Sequence, residues 1–570
     1  MENKLDTILP LVMKPSRYTG GELNAVTKPW DTVRLKTAIA FPDVYEVGMS
    51  NLAIQIIYGI LNEQPDILCE RVFSPWADME AQLREQKIPL FSLESKRPLS
   101  DFDLIGISLS YELSFTNALN LLDLGGIPLE SAARDERFPL IFGGGHAAFN
   151  PEPVSDFFDF FIIGEIEDLL LEITTLLLQY TEGYRDQRGI SKAELLERLS
   201  KIEGVYVPSL RNPTRRHMVK DLNAAYVPTR PLVPLLAPVQ DRAVIEIMRG
   251  CYHRCRFCQA GYVMLPKRER SVEVLTDQAR QILKNTGYEE LSLLSLSSGS
   301  YSQIEPLTVA LDSLCTRKKV SLAIPSIRMD TITQPVVDVI QKFKKTSLTL
   351  APEAGTQRLR DLLNKNISDE DIMRAIDIAR RSGAKSAKLY FMIGLPTETE
   401  ADLQGIVDLA YRLRKYLPIT ISVSNFIPKP HTPFQWEPQA SFAEIARKQA
   451  FLKSRIKGSH LSLRWHDSKL SVLEGVFARG DRSLGKLIKR AWELGCRFDA
   501  WDDQLKWECW IQALKEANPS ATDDESLFQP YLRERAETEP LPWDMIETGV
   551  SKAQLWAERR DGSGIIDRQL

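Results

Sequence analysis

The chain has 570 residues, 44% of them hydrophobic and 26% charged, which is globular composition for about three or four domains. Its formal net charge of −4 gives no basic signature of generic nucleic-acid binding. Seven cysteines are too few for a disulfide scaffold, Glu2 and Asp6 interrupt any apolar leader, and no apolar run reaches about 18 residues, so the chain reads as cytoplasmic and without a membrane span.

Residues 1–34 read as an extension. Over 35–180, short apolar runs alternate with helix-length amphipathic segments. Strands are expected at Thr37–Phe41, Leu104–Leu109, Leu140–Phe142 and Phe157–Ile163, and helices at Asn51–Asn62, through Leu124, and at Glu165–Leu178. Apolar strands separated by helices predict a Rossmann- or flavodoxin-like parallel sheet covered on both faces, with any ligand at the carboxyl ends of its strands. Gly143-Gly144-Gly145 falls at such an end. Residues 181–239 read as a linker with one helix (Ser191–Leu199), a short strand (Val205–Val207) and prolines at 228, 231, 234 and 238. Its basic run, Arg211–Lys220, reads as a solvated segment.

Alternation resumes over 240–440. Strand candidates are Val244–Met248, Glu290–Leu294, Ser321–Ile324, Ser347–Leu350, Ala387–Ile393 and Ile419–Val423, with helices such as Val272–Asn285 and Glu370–Ser382 between them. These units fit a partial (β/α)6 barrel of the TIM type, whose chemistry sits at strand C-termini. Residues 441–570 read as mainly helical, their tryptophans as core.

The informative string is Arg249-Gly250-Cys251-Tyr252-His253-Arg254-Cys255-Arg256-Phe257-Cys258, directly after the first barrel strand. Cysteine thiolates are the usual ligands of iron–sulfur clusters, and a cubane takes four ligands. Three thiolates at C-x3-C-x2-C spacing bind three irons and leave the fourth open to a cofactor or substrate. The alternative is structural zinc of Cys3His type using His253, which lies cramped between two of the cysteines. Cys69, Cys315, Cys496 and Cys509 are isolated and read as buried thiols.

C-x3-C-x-aromatic-C after the first strand of a βα barrel resembles the radical S-adenosylmethionine superfamily. The resemblance implies a [4Fe–4S] cluster on Cys251, Cys255 and Cys258. It implies S-adenosylmethionine on the open iron and reductive cleavage to a 5′-deoxyadenosyl radical. It also implies a reducing partner of flavodoxin or ferredoxin type. Phe257 then lies near the adenine; Ser298 and Gly299 stand where the family contacts the methionyl amino group. Glu353 and Arg358 stand at the ribose or polar end, and Ile393 and Gly394 at the adenine. Here serines partly replace the family's glycines.

A preceding α/β domain resembles the cobalamin-binding subgroup. That subgroup shows D-x-H-x-x-G after its first strand; this chain has Asp43-Val44-Tyr45-Glu46-Val47-Gly48, with tyrosine in place of the cobalt-ligating histidine. Ser108-Leu109-Ser110, Gly143-Gly144-Gly145-His146 and Gly164-Glu165-Ile166-Glu167 retain later features of the domain. Two readings stay open at Tyr45, Ser108 and Gly144: cobalamin held without a protein imidazole, serving methyl or related group transfer, or the fold without the cofactor. A large substrate, RNA or protein, suits the helical C-terminal region. The rivals to an enzyme are a zinc-bearing interaction module and a cluster protein that only transfers electrons.

Overall fold

The computed structural model describes residues 2–186, 190–343, 347–458 and 461–567. The first sheet contains β1 (Leu35–Phe41), β2 (Ile67–Phe73), β3 (Leu104–Ser108), β4 (Leu140–Gly144), β5 (Phe160–Ile162) and β6 (Val205–Tyr206), in the order β2-β1-β3-β4-β5-β6. All neighbours are parallel except β5 and β6. Every residue of β1, β2 and β3 is buried, as in a sheet covered on both faces. On one face Ile54, Ile57, Ile173 and Leu177 share a core with Ile39 and Leu104. On the other, Ile105 and Ile107 share a core with Val472, Ile488 and Trp510 from the far end of the chain.

β2 has no counterpart among the strands expected from sequence, because Glu70 and Arg71 interrupt its apolar pattern. The structure buries both. Arg71 pairs with Glu22 at 2.6 Å and Glu94 at 2.7 Å, and Ser95 Oγ donates to Glu70 at 2.7 Å. The linker is also more structured than expected. Val205–Tyr206 joins the first sheet as β6. Thr214–Arg215 pairs with Ile546–Glu547, and Arg216 is buried with its Nε donating to Thr548 O at 2.7 Å. The basic run is therefore not simply solvated.

The barrel region forms two parallel arcs. Ala243–Glu246, Glu290–Leu294 and Ser321–Ala323 make the first. Leu348–Glu353, Ala387–Ile393, Ile419–Asn425 and Ser462–Trp465 make the second. Among the described residues no strand pairing joins Ser321–Ala323 to Leu348–Glu353. The expected six strands are present, and Ser462–Trp465 adds a seventh. Trp510 and Trp543 are core as expected, whereas Trp465 on the outer strand is 43% exposed. Among the described residues no helix is long and apolar enough to cross a membrane.

Arg71→Leu removes the cation shared by two buried carboxylates, and breaking a buried pair from one side costs about 3–5 kcal/mol. Urea unfolding of the full chain should show that loss; an unchanged midpoint would mean that Glu22 and Glu94 find other partners.

Candidate active site

The first barrel strand continues as Met248–Arg249, which pairs antiparallel with Arg268–Glu269 and draws residues 250–267 into a closed loop. Gly250 opens the loop at φ +84°; a Cβ there would stand 2.5 Å from the Met264 carbonyl oxygen, so the turn requires glycine. Arg254 also takes a positive φ, +51°. Cys258 N donates to Cys255 O at 2.9 Å before the short helix Ala260–Val263 begins. Cys251, Cys255 and Cys258 all line one cavity of about 710 Å³.

Charged side chains from other regions hold this loop. Arg249 is buried and pairs with Glu246 at 2.9 Å, Glu165 at 3.1 Å and Glu167. Arg268 pairs with Glu165 as well. The Gly164-Glu165-Ile166-Glu167 segment therefore ties the end of the first domain to both ends of the cysteine loop. From the barrel, Asn364 Nδ2 donates to the carbonyls of His253 at 3.1 Å and Arg254 at 2.9 Å.

The cavity has a polar end beside the cysteines. A register shift between Leu350 and Glu353 bends the fourth barrel strand, and Glu353 adopts φ +70°. Such a bulge re-aims a side chain, and Glu353 lines the cavity, where it accepts from Lys365 Nζ at 2.9 Å. Burial opposes the charge on Lys365, but Glu353 and Cys255 together outweigh it and raise the lysine's pKa. Arg328 also lines the cavity, with its guanidinium on Asp330 at 3.0 Å and on the Lys365 carbonyl at 2.7 Å. Sequence reasoning assigned no role to Lys365 or Arg328, and no recognisable motif marks Lys365.

His253 bonds through Nε2 to Ser300 Oγ at 2.8 Å. Burial, followed by the charge on Arg328, holds its imidazole down to about 4. Among the described residues no three His, Cys, Asp or Glu side chains converge on a single ion. The three cysteines line the same cavity, and the histidine that a Cys3His zinc site would use is bonded to Ser300. Burial pushes the Cys258 thiol up to about 12 and raises Cys255 too, so metal ligation would have to displace their protons. A cavity of this size, apolar along Phe257, Leu322, Ile324 and Ile327 and charged at Glu353, Lys365 and Arg328, fits a charged, nucleoside-sized ligand.

The other expected contacts lie elsewhere. Ser298 is fully buried, its Oγ on Ser295 Oγ at 2.9 Å and its N–H on Ser326 O at 3.1 Å; a Cβ at Gly299 would collide with Thr331. These two shape the turn, and neighbouring Ser297 lines the cavity instead. Arg358 does not pair with Glu353; it braces the next strand's loop through Thr397 and Asp402. Ile393 is buried in the barrel core, and Gly394 N donates to Glu398 at 3.0 Å. Neither lines the cavity. Phe257 does, with its ring against a small apolar cluster containing Leu359, Met392 and Phe426.

At the carboxyl edge of the first sheet, the candidate side chains bond to one another and to neighbouring protein groups. Tyr45 is 1% exposed, and its hydroxyl donates to Glu22 at 2.9 Å and accepts from Leu235 N at 3.3 Å. Asp43 accepts from Tyr111 Oη and from Trp501 Nε1 at 3.2 Å; Trp501 in turn packs on Trp76. Ser108 Oγ meets Ser110 Oγ at 3.2 Å. Gly144 has room for a Cβ, but Gly143 lies against Phe161 and Gly145 against the Leu109 carbonyl. Lys429, bridging Glu112 at 2.8 Å and Glu474 at 2.7 Å, crosses from the barrel to this edge. The residues present do not fit a corrin ring resting on the loop after β1.

Parallel barrel strands behind an α/β domain, with a three-cysteine loop at the head of the first barrel strand, are the architecture that the resemblance in the sequence implied. Residues 53–208 match the family "Radical SAM proteins, N-terminal" and residues 245–410 match "Radical SAM superfamily"; between them they span more than half of the chain. The chain belongs to the radical SAM superfamily, whose enzymes use a [4Fe–4S] cluster with S-adenosylmethionine and require a reductant. It is 28% identical to an uncharacterised protein of Methanocaldococcus jannaschii over 79% of this chain and 90% of that one. It is 27% identical to tRNA-2-methylthio-N(6)-dimethylallyladenosine synthase of Desulforamulus reducens, over 32% of this chain and 41% of that enzyme. The cobalamin-dependent S-adenosylmethionine radical enzyme OxsB shares the fold at a TM-score of 0.51 and 13% identity, covering 94% of this chain and 79% of that one.

Incubation with hydroxocobalamin followed by desalting should leave no stoichiometric corrinoid spectrum. A retained spectrum would mean that Trp501 and Tyr111 swing aside to admit the ring.

Proposed function

We propose that Cys251, Cys255 and Cys258 hold a [4Fe–4S] cluster with one iron left for S-adenosylmethionine, and that the chain reductively cleaves this cofactor to act on a substrate by hydrogen abstraction. The supporting observation is that the three thiols line one cavity while His253, the nearest candidate for a fourth ligand, is engaged by Ser300. A cluster on these thiolates, once reduced by an external one-electron donor, would supply the electron for reductive cleavage of the sulfonium. The chain's own part is positioning and shielding. Phe257 offers an apolar wall. Lys365, Glu353 and Arg328 offer fixed charges of both signs for a methionyl zwitterion and ribose hydroxyls, already paired and oriented before binding. The first domain, in this reading, supports the loop through Glu165 and Glu167 and takes no corrinoid.

Anaerobic reconstitution should give about four irons per chain and 5′-deoxyadenosine on reduction with S-adenosylmethionine. Alanine at any one of the three cysteines should reduce cleavage to background. Cleavage retained in all three variants, or zinc in place of iron and acid-labile sulfide, would overturn the proposal. A cluster that forms but yields no 5′-deoxyadenosine would favour an electron carrier.

A further inference from the structure

Resting on that reading of the cysteine loop, we infer that the C-terminal helix, Lys552–Asp567, is a clasp that positions the loop, with Glu558 as its positioning residue. One residue reaches both gaps of the C-x3-C-x2-C motif. The Glu558 carboxylate pairs with Arg254, between the first and second cysteines, and accepts from Tyr262 Oη at 2.7 Å, just after the third. Its main-chain carbonyl accepts from Arg256 Nε at 2.8 Å, between the second and third cysteines.

Each arginine is gripped from more than one side. Arg254 lies 5.5 Å over the Tyr262 ring, and its main-chain carbonyl oxygen stands 3.1 Å from Tyr262 Oη. Arg256 is buried, with its Nη1 donating to the carbonyls of Leu362 at 2.7 Å and Asp361 at 3.2 Å. Those carbonyls end the short helix Gln357–Leu362, where a cation meets the negative end of the helix dipole. Gly562, one turn beyond Glu558, leaves room for the guanidinium; a Cβ there would stand 3.2 Å from Arg256 Nε. The Arg256 side chain is thus held between two helices.

The clasp is itself anchored without the loop. Leu555 is buried, Trp556 sets its edge on Trp436 at 5.0 Å, and Arg559 pairs with Glu437 and Glu534. A rigid element therefore presents Glu558 to a loop whose Arg254 sits at a positive φ. Backbone in that region persists only where surroundings enforce it. None of Glu558, Arg254, Arg256 and Tyr262 lines the cavity, so the helix acts from behind the thiols and touches no reacting atom. A partly exposed ion pair contributes little to global stability. Its measurable effect here is on loop order.

The test compares full-length wild type with Glu558→Ala and Glu558→Gln. In the metal-free chains, amide hydrogen exchange is followed on peptides spanning 250–263. After anaerobic reconstitution, bleaching of the cluster in air is timed. Glu558→Ala should exchange several-fold faster in that peptide and nowhere else in the barrel, and its cluster should bleach several-fold faster. Glu558→Gln keeps the shape and one of the two side-chain acceptors without the charge and should fall between. Wild-type exchange in a folded alanine variant, or faster exchange spread over the whole chain, would overturn the clasp. Should the alanine chain not fold, the glutamine variant decides in the same way: faster local exchange supports the clasp and wild-type exchange sinks it. A wild-type chain that takes up no iron would count against the cluster reading alone, since the exchange experiment uses no metal.

Discussion

Everything at the site depends on holding a short, poorly hydrogen-bonded loop in one shape. The segment bearing the three thiols has few backbone hydrogen bonds of its own, so its geometry must be imposed from outside. Arg249 and Arg268 fix its two ends on Glu165, Glu167 and Glu246, Asn364 holds its middle carbonyls, and Glu558 holds its back. These residues come from the first domain, the barrel and the C-terminal region. Buried charges are costly unless paired. A network centred on an arginine as buried as Arg249 therefore allows few alternative positions for the loop.

The same economy of charge shapes the cavity. Two arcs of parallel strands leave space between Ser321–Ala323 and Leu348–Glu353, and the cavity runs along it to Ser321 and Leu348, the strands' opening residues. Its apolar flanks include Leu322, Leu348 and Ala351 from the strands; Arg242 and Glu290 line its far end, and Glu353, Lys365 and Arg328 line the end beside the cysteines. There Glu353 leaves the strand's alternation through the bulge and faces Lys365. The pair supplies fixed charge beside the cysteines without an unpaired group buried in the apolar wall.

The first domain keeps the topology of a ligand-binding sheet while filling its ligand edge. Tyr45 turns inward to Glu22, and Asp43 is capped by Tyr111 and Trp501. The partner that closes this edge comes from the helical C-terminal region, whose Val472, Ile488 and Trp510 complete the core on one face of the sheet. A domain stabilised by the chain's own distant segment can keep a binding fold as a scaffold. Here that scaffold supplies the carboxylates that anchor Arg249.

Local pattern was enough to read the alternation of apolar runs and helices, and hence the parallel sheets, because burial on both faces leaves a periodic signal. It was enough, too, to single out the three-cysteine loop, because the spacing of cysteines along one loop is a property of neighbouring residues. Only the tertiary structure decided which other side chains join them. Arg71 and Arg216 look solvated in the sequence but are buried against partners far away in it. Lys365 reaches the cavity because a bulge redirects Glu353, while Arg358, a few residues from Glu353, points to another loop. Glu558 meets the cysteine motif across some three hundred residues. Such pairings follow from how distant segments pack and charges are compensated, and no local period records them.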